Sequence, residues 1–134
     1  MPREQNVEII RRSFDAFESM DVERWVADWA EDVEFDVSGY EPWTGEQKRY
    51  VGQLAILEFF GSMMAGTKVL KVDVQRVEAV DDDRVIAIYT ETRQEPGGPP
   101  HDVPVGIVYA LRDGKLAHVE VYSDPEAALR AAGL

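Results

Sequence analysis

The chain has 134 residues, the size of one ordinary domain, and it has no cysteine, which excludes disulfides, thiolate metal ligands and cysteine nucleophiles. With 14 Lys+Arg against 26 Asp+Glu the formal charge is −12, the opposite of what nucleic acid or an anionic membrane surface requires of a partner. Hydrophobic residues make up 45%, there is no long apolar run, and Met1-Pro2-Arg3-Glu4 lacks the start of a secretory signal, so a cytoplasmic, folded single domain over 1–134 is expected.

Val7, Ile10, Phe14 and Phe17 recur at helical spacing among charged residues and predict a first helix from Arg3 to Ser19, with Pro2 near its first turn. Asp21 can cap a second helix with Val22, Trp25, Val26 and Trp29 on one face. Val33, Phe35 and Val37 alternate with Glu34, Asp36 and Ser38, the period of a short strand. Gly39 to Gly45 reads as a loop, and Ala55, Ile56, Phe59, Phe60 and Met63 as a third helix closed by Gly66. Beyond Gly66 the period is strand-like. Leu70 to Val74 and Val85 to Thr92 predict strands joined by an acidic turn, and the proline-rich stretch from Gln94 to Pro104 predicts a loop. Val105 to Leu111 and Leu116 to Tyr122 flank Asp113-Gly114, a strong hairpin signal, and Asp124-Pro125 caps a last short helix. Helices followed by antiparallel strands make the expected fold class α+β, with the helices on one face of the sheet.

Counted from the Asp113-Gly114 turn, Tyr109 stands opposite His118, Ile107 opposite Glu120 and Val105 opposite Tyr122, all on one face. The other face carries Val108, Ala110, Ala117, Val119 and Val121. Neither face is plainly solvated, and strands apolar on both sides are ordinarily covered on both. With helices covering one side, a second copy of the chain is expected on the other, giving a homodimer.

Several segments resemble the nuclear transport factor 2-like superfamily, in its branch of SnoaL-type polyketide cyclases and ketosteroid isomerases. They are Trp29-Ala30-Glu31-Asp32-Val33, Gly39-Tyr40-Glu41-Pro42-Trp43-Thr44-Gly45, Gly52-Gln53-Leu54-Ala55-Ile56 with Phe59 and Phe60, Asp113-Gly114-Lys115-Leu116, and Tyr122-Ser123-Asp124. The resemblance spans nearly the whole chain. It implies a cone, a cystatin-like α+β barrel in which a curved antiparallel sheet wraps around the N-terminal helices and encloses an apolar pocket. It also implies frequent dimerisation through the outer face of the sheet.

Carried over by count, the isomerases' oxyanion-binding tyrosine falls on Ser13, their general base on Val37, and their second oxyanion donor near Ile107. Serine is too short to replace a phenol, and valine takes no proton. Asp36 lies one residue away, on the other face of its strand unless a bulge intervenes. The acid that cyclases and related epoxide hydrolases place on the last strand falls on Val121 when counted from Gly114-Lys115. It falls on Glu120, with His118 beside it, when counted from a His-x-acid pattern. The first count leaves an apolar pocket with Val119 and Val121 on one face of the strand. The second turns an acid–base pair into the pocket.

His118 and Glu120 project the same way, so they fit a base with its orienting carboxylate and Tyr109 as a nearby donor. The plain alternative is a polar set on a sheet surface or dimer interface. Glu91 and Arg93 share a face with Tyr89 and resemble half of the acid–Arg–acid arrangement of epoxide hydrolases; a rim ion pair is the alternative. Tyr40 and Trp43 sit in the loop expected to rim the cone, where they either line a ligand site or staple the core. Trp25, Trp29, Phe59 and Met63 have helix-core spacing, and in a cone some such residues line the hollow. His101 and His118 stand far apart, and no Gly-rich phosphate loop is present, so neither metal nor cofactor is expected. The expected function is a cofactor-independent cyclase, isomerase or dehydratase acting on a small apolar molecule by acid–base chemistry. His118, Glu120 and Asp36 are its catalytic candidates. The alternative is a non-catalytic small-molecule-binding or accessory protein of the same fold.

Overall fold

The protein is described by a computed structural model covering residues 3–41, 43 and 45–134. Pro2 at the start of the first helix, and Pro42 and Thr44 of the first loop, lie outside the described residues. Helix α1 (Arg3–Glu18) buries Asn6, Ile9, Ile10, Ser13 and Ala16, a set at three- and four-residue spacing. Helix α2 (Val22–Ala27) starts where the Asp21 carboxylate accepts the backbone N–H of Arg24, as the sequence predicts. It ends sooner than expected. Trp29 opens strand β1 (Trp29–Gly39) instead of closing a helical face, because it pairs with Leu116, whose N–H reaches the carbonyl of Asp28 at 2.7 Å. A long-range ladder outweighs the local period there.

Strand β2 (Arg49–Val51) is too short to show any alternation and carried no signal in the sequence. Helix α3 (Gln53–Ala65) ends at Gly66 as expected. Strands β3 (Lys68–Ala79), β4 (Arg84–Gln94), β5 (His101–Arg112) and β6 (Lys115–Tyr122) follow, then helix α4 (Pro125–Ala131). Asp124 caps α4 through the N–H of Glu126, with Pro125 in the first turn.

The six strands form one sheet in the order β2-β1-β6-β5-β4-β3. All neighbours are antiparallel except β1 and β6, which run parallel, a pairing the chain order does not announce. β5 begins at His101, inside the stretch expected to be loop. Pro104 is tolerated there because the β5–β6 ladder ends at the Gly106–Tyr122 pair, so its missing N–H faces no strand. Register shifts in the β1–β6, β3–β4 and β5–β6 ladders bend the sheet. Helices α1, α2 and α3 fill its concave side around Ile10, Val33, Val37, Ile56, Val85 and Val105.

The premise that helices cover only one face is corrected. Helix α4 lies on the outer face, where Ala128 and Ala132 form a second cluster with Ile86 and Val108. Gly106 makes this possible, since a Cβ there would come within 2.7 Å of the Ala128 Cβ. No helix among the described residues is long and apolar enough to cross a membrane.

Candidate functional site

The concave side of the sheet and helices α1 to α3 enclose a cavity of about 80 Å³. A space of that kind needs only ~10–15 Å³ per water, so it holds several waters or one small organic molecule. Most of its wall is aromatic and interlocked. Trp25 packs edge-on against Trp29 at 4.9 Å and against Phe60 at 4.8 Å, and Phe14 meets Tyr89 at 5.0 Å. Ile107 of β5 and Leu116, Val119 and Val121 of β6 complete the wall.

The polar groups on the wall are few: Ser13, Tyr40, Tyr89, Glu91 and Tyr109 among the described lining residues. Glu91 is the one carboxylate, and it sits on β4, where inward positions are otherwise apolar or aromatic up to Arg93. The Tyr89 hydroxyl donates to Glu91 Oε1 at 3.4 Å. Behind Glu91, Arg93 Nε stands 3.6 Å from Glu91 Oε2, and Arg93 Nη1 donates to the Tyr40 hydroxyl at 2.5 Å. Arg93 is only 4% exposed and Glu91 7%, and neither Glu91 Oε2 nor Arg93 Nε completes a hydrogen bond. Burial raises the pKa of Glu91; Arg93 and Tyr89 pull against that rise without cancelling it. Burial, then the Glu91 charge, push the Tyr89 and Tyr40 phenols up as well.

A second titratable cluster lies on the opposite face of the sheet. His118 Nδ1 is 3.2 Å from Glu34 Oε2, and its Nε2 is 3.3 Å from Glu120 Oε1. Arg49 holds Glu34 at 2.8 Å, and the Tyr122 hydroxyl donates to Glu120 at 2.5 Å. These side chains are roughly one-third to two-thirds exposed where they form ion pairs. Glu34 and Asp36 on this face go the other way from Glu91. The hydrogen bond from Arg49 lowers Glu34, and at Asp36 the hydrogen bonds from Ser38 outweigh partial burial and lower it too. Burial and Glu120 push the Tyr122 phenol up to about 12.

His118, Glu120 and Asp36 are therefore brought together, but on the outer face: the pocket placement that the His-x-acid count gives His118 and Glu120 is corrected, and Asp36 stays on the face its strand period predicts. The reason is a β-bulge. Leu111 pairs with Leu116 as counted, but Ala110 pairs with His118, leaving Ala117 as an extra residue. Beyond it the register shifts, so Tyr109 faces Val119 and Ile107 faces Val121 inside the cone, while His118 and Glu120 turn out. The count from the turn thus put Val119 and Val121 on the cavity side and wrongly put Tyr109 away from them. Parallel pairing with β6 puts Asp36 beside Glu120, also outside.

Trp25, Trp29, Tyr40, Phe59 and Met63 line the cavity. Trp43 stands behind the wall. It packs edge-on against Phe59 at 4.9 Å, and its indole N–H donates to the carbonyl of Gln47. Ser13, Val37 and Ile107, the positions reached by counting from the isomerases, all face the hollow. Tyr89 and Glu91 are the lining groups the sequence ranked too low. Their signal is a polar residue at an inward position of a β-branched strand.

The sequence profile of the SnoaL-like domain matches residues 10–119. No curated protein sequence matches the chain. Among solved structures it is similar to TerC, crystallised with polyporic acid, at 21% identity over 97% of this chain and 99% of that one, with a TM-score of 0.77. It is similar to a nuclear transport factor 2-like protein of Burkholderia pseudomallei at 18% identity, over 97% and 98% of the two chains, with a TM-score of 0.80. It is also similar to Bal32a, from a soil-derived mobile gene cassette, at 28% identity over 90% and 89% of the two chains, with a TM-score of 0.78. The chain belongs to the SnoaL-like domain family and has the nuclear transport factor 2-like fold.

Proposed function

We propose that the protein is a cofactor-independent acid–base enzyme acting on a small apolar molecule, with Glu91 as the group that moves the proton. One observation carries this reading: Glu91 is the only carboxylate among the described residues of an otherwise apolar, aromatic cavity wall. A proton-transfer group must stand within hydrogen-bond reach of the reacting atom, and only a group on this wall meets that condition for a molecule inside the cone.

The chemistry is an enolisation. The Glu91 carboxylate takes a proton from a carbon next to a carbonyl. The C–H bond breaks, an O–H bond forms on Glu91, and the electron pair moves onto the carbonyl oxygen. Return of the proton at the same or another carbon regenerates the carboxylate, so no oxidant or reductant is needed. The raised pKa makes Glu91 a stronger base than an exposed glutamate. Arg93 acts as a positioning residue, set between Glu91 and the Tyr40 hydroxyl.

Deuterium uptake by 2-tetralone in D2O, followed by NMR, tests this. The wild type is expected to accelerate exchange at the carbons flanking the carbonyl, more strongly as pH rises through the Glu91 pKa. Glu91→Gln should lose about a hundredfold while binding the ketone as before. Equal exchange by both proteins removes Glu91 from the chemistry. Binding without any acceleration by the wild type leaves the non-catalytic binding protein as the reading of this fold.

A further inference from the structure

Tyr109 is a phenol on the cavity wall to which enolisation by Glu91 gives no role. Its side chain is 6% exposed, and burial alone raises its pKa, with no hydrogen bond contributing. Yet the hydroxyl is not sealed in packing. Among the described residues, the buried side-chain nitrogen and oxygen atoms shut off from both partners and open space are Asn6 Oδ1, Glu91 Oε2 and Arg93 Nε, whereas Tyr109 opens on the cavity.

The neighbouring phenols are already engaged. Tyr89 donates to Glu91, and Tyr40 accepts from Arg93. Tyr89 also lies near enough to Tyr109 and Tyr40 for both to raise its pKa, so the three phenols and the carboxylate form one polar group in an apolar wall. On the β4–β5 ladder Glu91 pairs with Val103 and Tyr109 with Val85, so they enter the hollow at different levels. A buried hydroxyl without an acceptor is unfavourable, and phenylalanine would fill the same volume without that penalty. The bulge at Ala117 is what sets Val119, and not His118, opposite this phenol.

We propose that Tyr109 determines specificity: its hydroxyl donates to an acceptor oxygen of the bound molecule, so the cavity takes small ring compounds carrying a carbonyl in preference to the matching hydrocarbons. The proposal rests on the cavity being a small-molecule site, as in the reading above. It adds a second recognition point, one that fixes which way the ring enters.

The test uses 2-tetralone and tetralin, two rings of one shape that differ by the carbonyl. Binding is read from the fluorescence of Trp25 and Trp29, which both line the cavity. The wild type is expected to bind the ketone about tenfold more tightly than the hydrocarbon. Tyr109→Phe should erase that preference by weakening the ketone alone. Tyr122→Phe, which alters a phenol bonded to Glu120 on the outer face, should leave it intact. Equal binding of the two rings by the wild type, or a preference that survives Tyr109→Phe, overturns the proposal and spares the small-molecule site. Failure of both rings to bind overturns the two together. Equal binding by the wild type overturns the proposal even if the Phe variant does not fold.

Discussion

The two faces of the sheet hold clusters of nearly the same composition and opposite character. Inside, Glu91, Arg93, Tyr89 and Tyr40 form a short chain of contacts with almost no exposure. Outside, Glu34, Glu120, His118, Arg49 and Tyr122 form a comparable chain in contact with solvent. Glu91 is raised because burial penalises its charge. Glu34 is lowered by its hydrogen bond from Arg49, and at Asp36 burial is overcome by the Ser38 hydrogen bonds together with nearby positive charge. Residue type alone would make the histidine cluster the reactive one. Burial and a cavity in reach are what support the other as the proposed site.

Three changes separate the clusters, and the largest places a charge on the face that the bulge keeps apolar. Val121→Asp sets a carboxylate in the cavity wall, where Val121 stands opposite Ile107. Burying that charge without a partner should abolish cooperative folding, seen as loss of a sharp thermal transition by circular dichroism. A variant that melts as the wild type does would show that Val121 does not face the hollow.

Next in size is Arg93→Met. It leaves Glu91 buried without its cation, and loss of one member of a buried pair costs about 3 kcal/mol. The sign with pH follows from the raised pKa of Glu91. Stability linked to that group is fully present below its unfolded pKa and falls as pH rises through the folded one. Removing the cation raises the folded pKa further, so urea denaturation should show a smaller deficit at pH 5 than at pH 8. A deficit independent of pH would mean that the loss is one of packing alone.

The smallest effect belongs outside. His118→Gln breaks contacts with Glu34 and Glu120 that water already screens, and surface pairs of this kind contribute about 0–1 kcal/mol. Its deficit should shrink further in molar salt, whereas that of Arg93→Met should persist. A His118→Gln variant as damaged as Arg93→Met would erase the contrast between the two faces.

Much of the architecture was legible because it is written in local chemistry. The Asp113-Gly114 turn is visible as a dipeptide, and both residues do take positive φ, 53° and 76°. Asp21 and Asp124 announce their helices by the oxygen they offer to the first turn. The site was less legible. Glu91 could be seen on the same face as Tyr89 and Arg93, but nothing local distinguishes a carboxylate that faces a hollow from one that faces water.

The sequence by itself determined the order of the elements other than β2, their caps and turns, and the apolar face of β1, because those depend on neighbours a few residues apart. The tertiary structure alone decided the parallel pairing of β1 with β6, the bulge at Ala117, and hence which acid is dry. A strand has a period of two, so a single extra residue, placed by contacts with a distant strand, exchanges its inside for its outside.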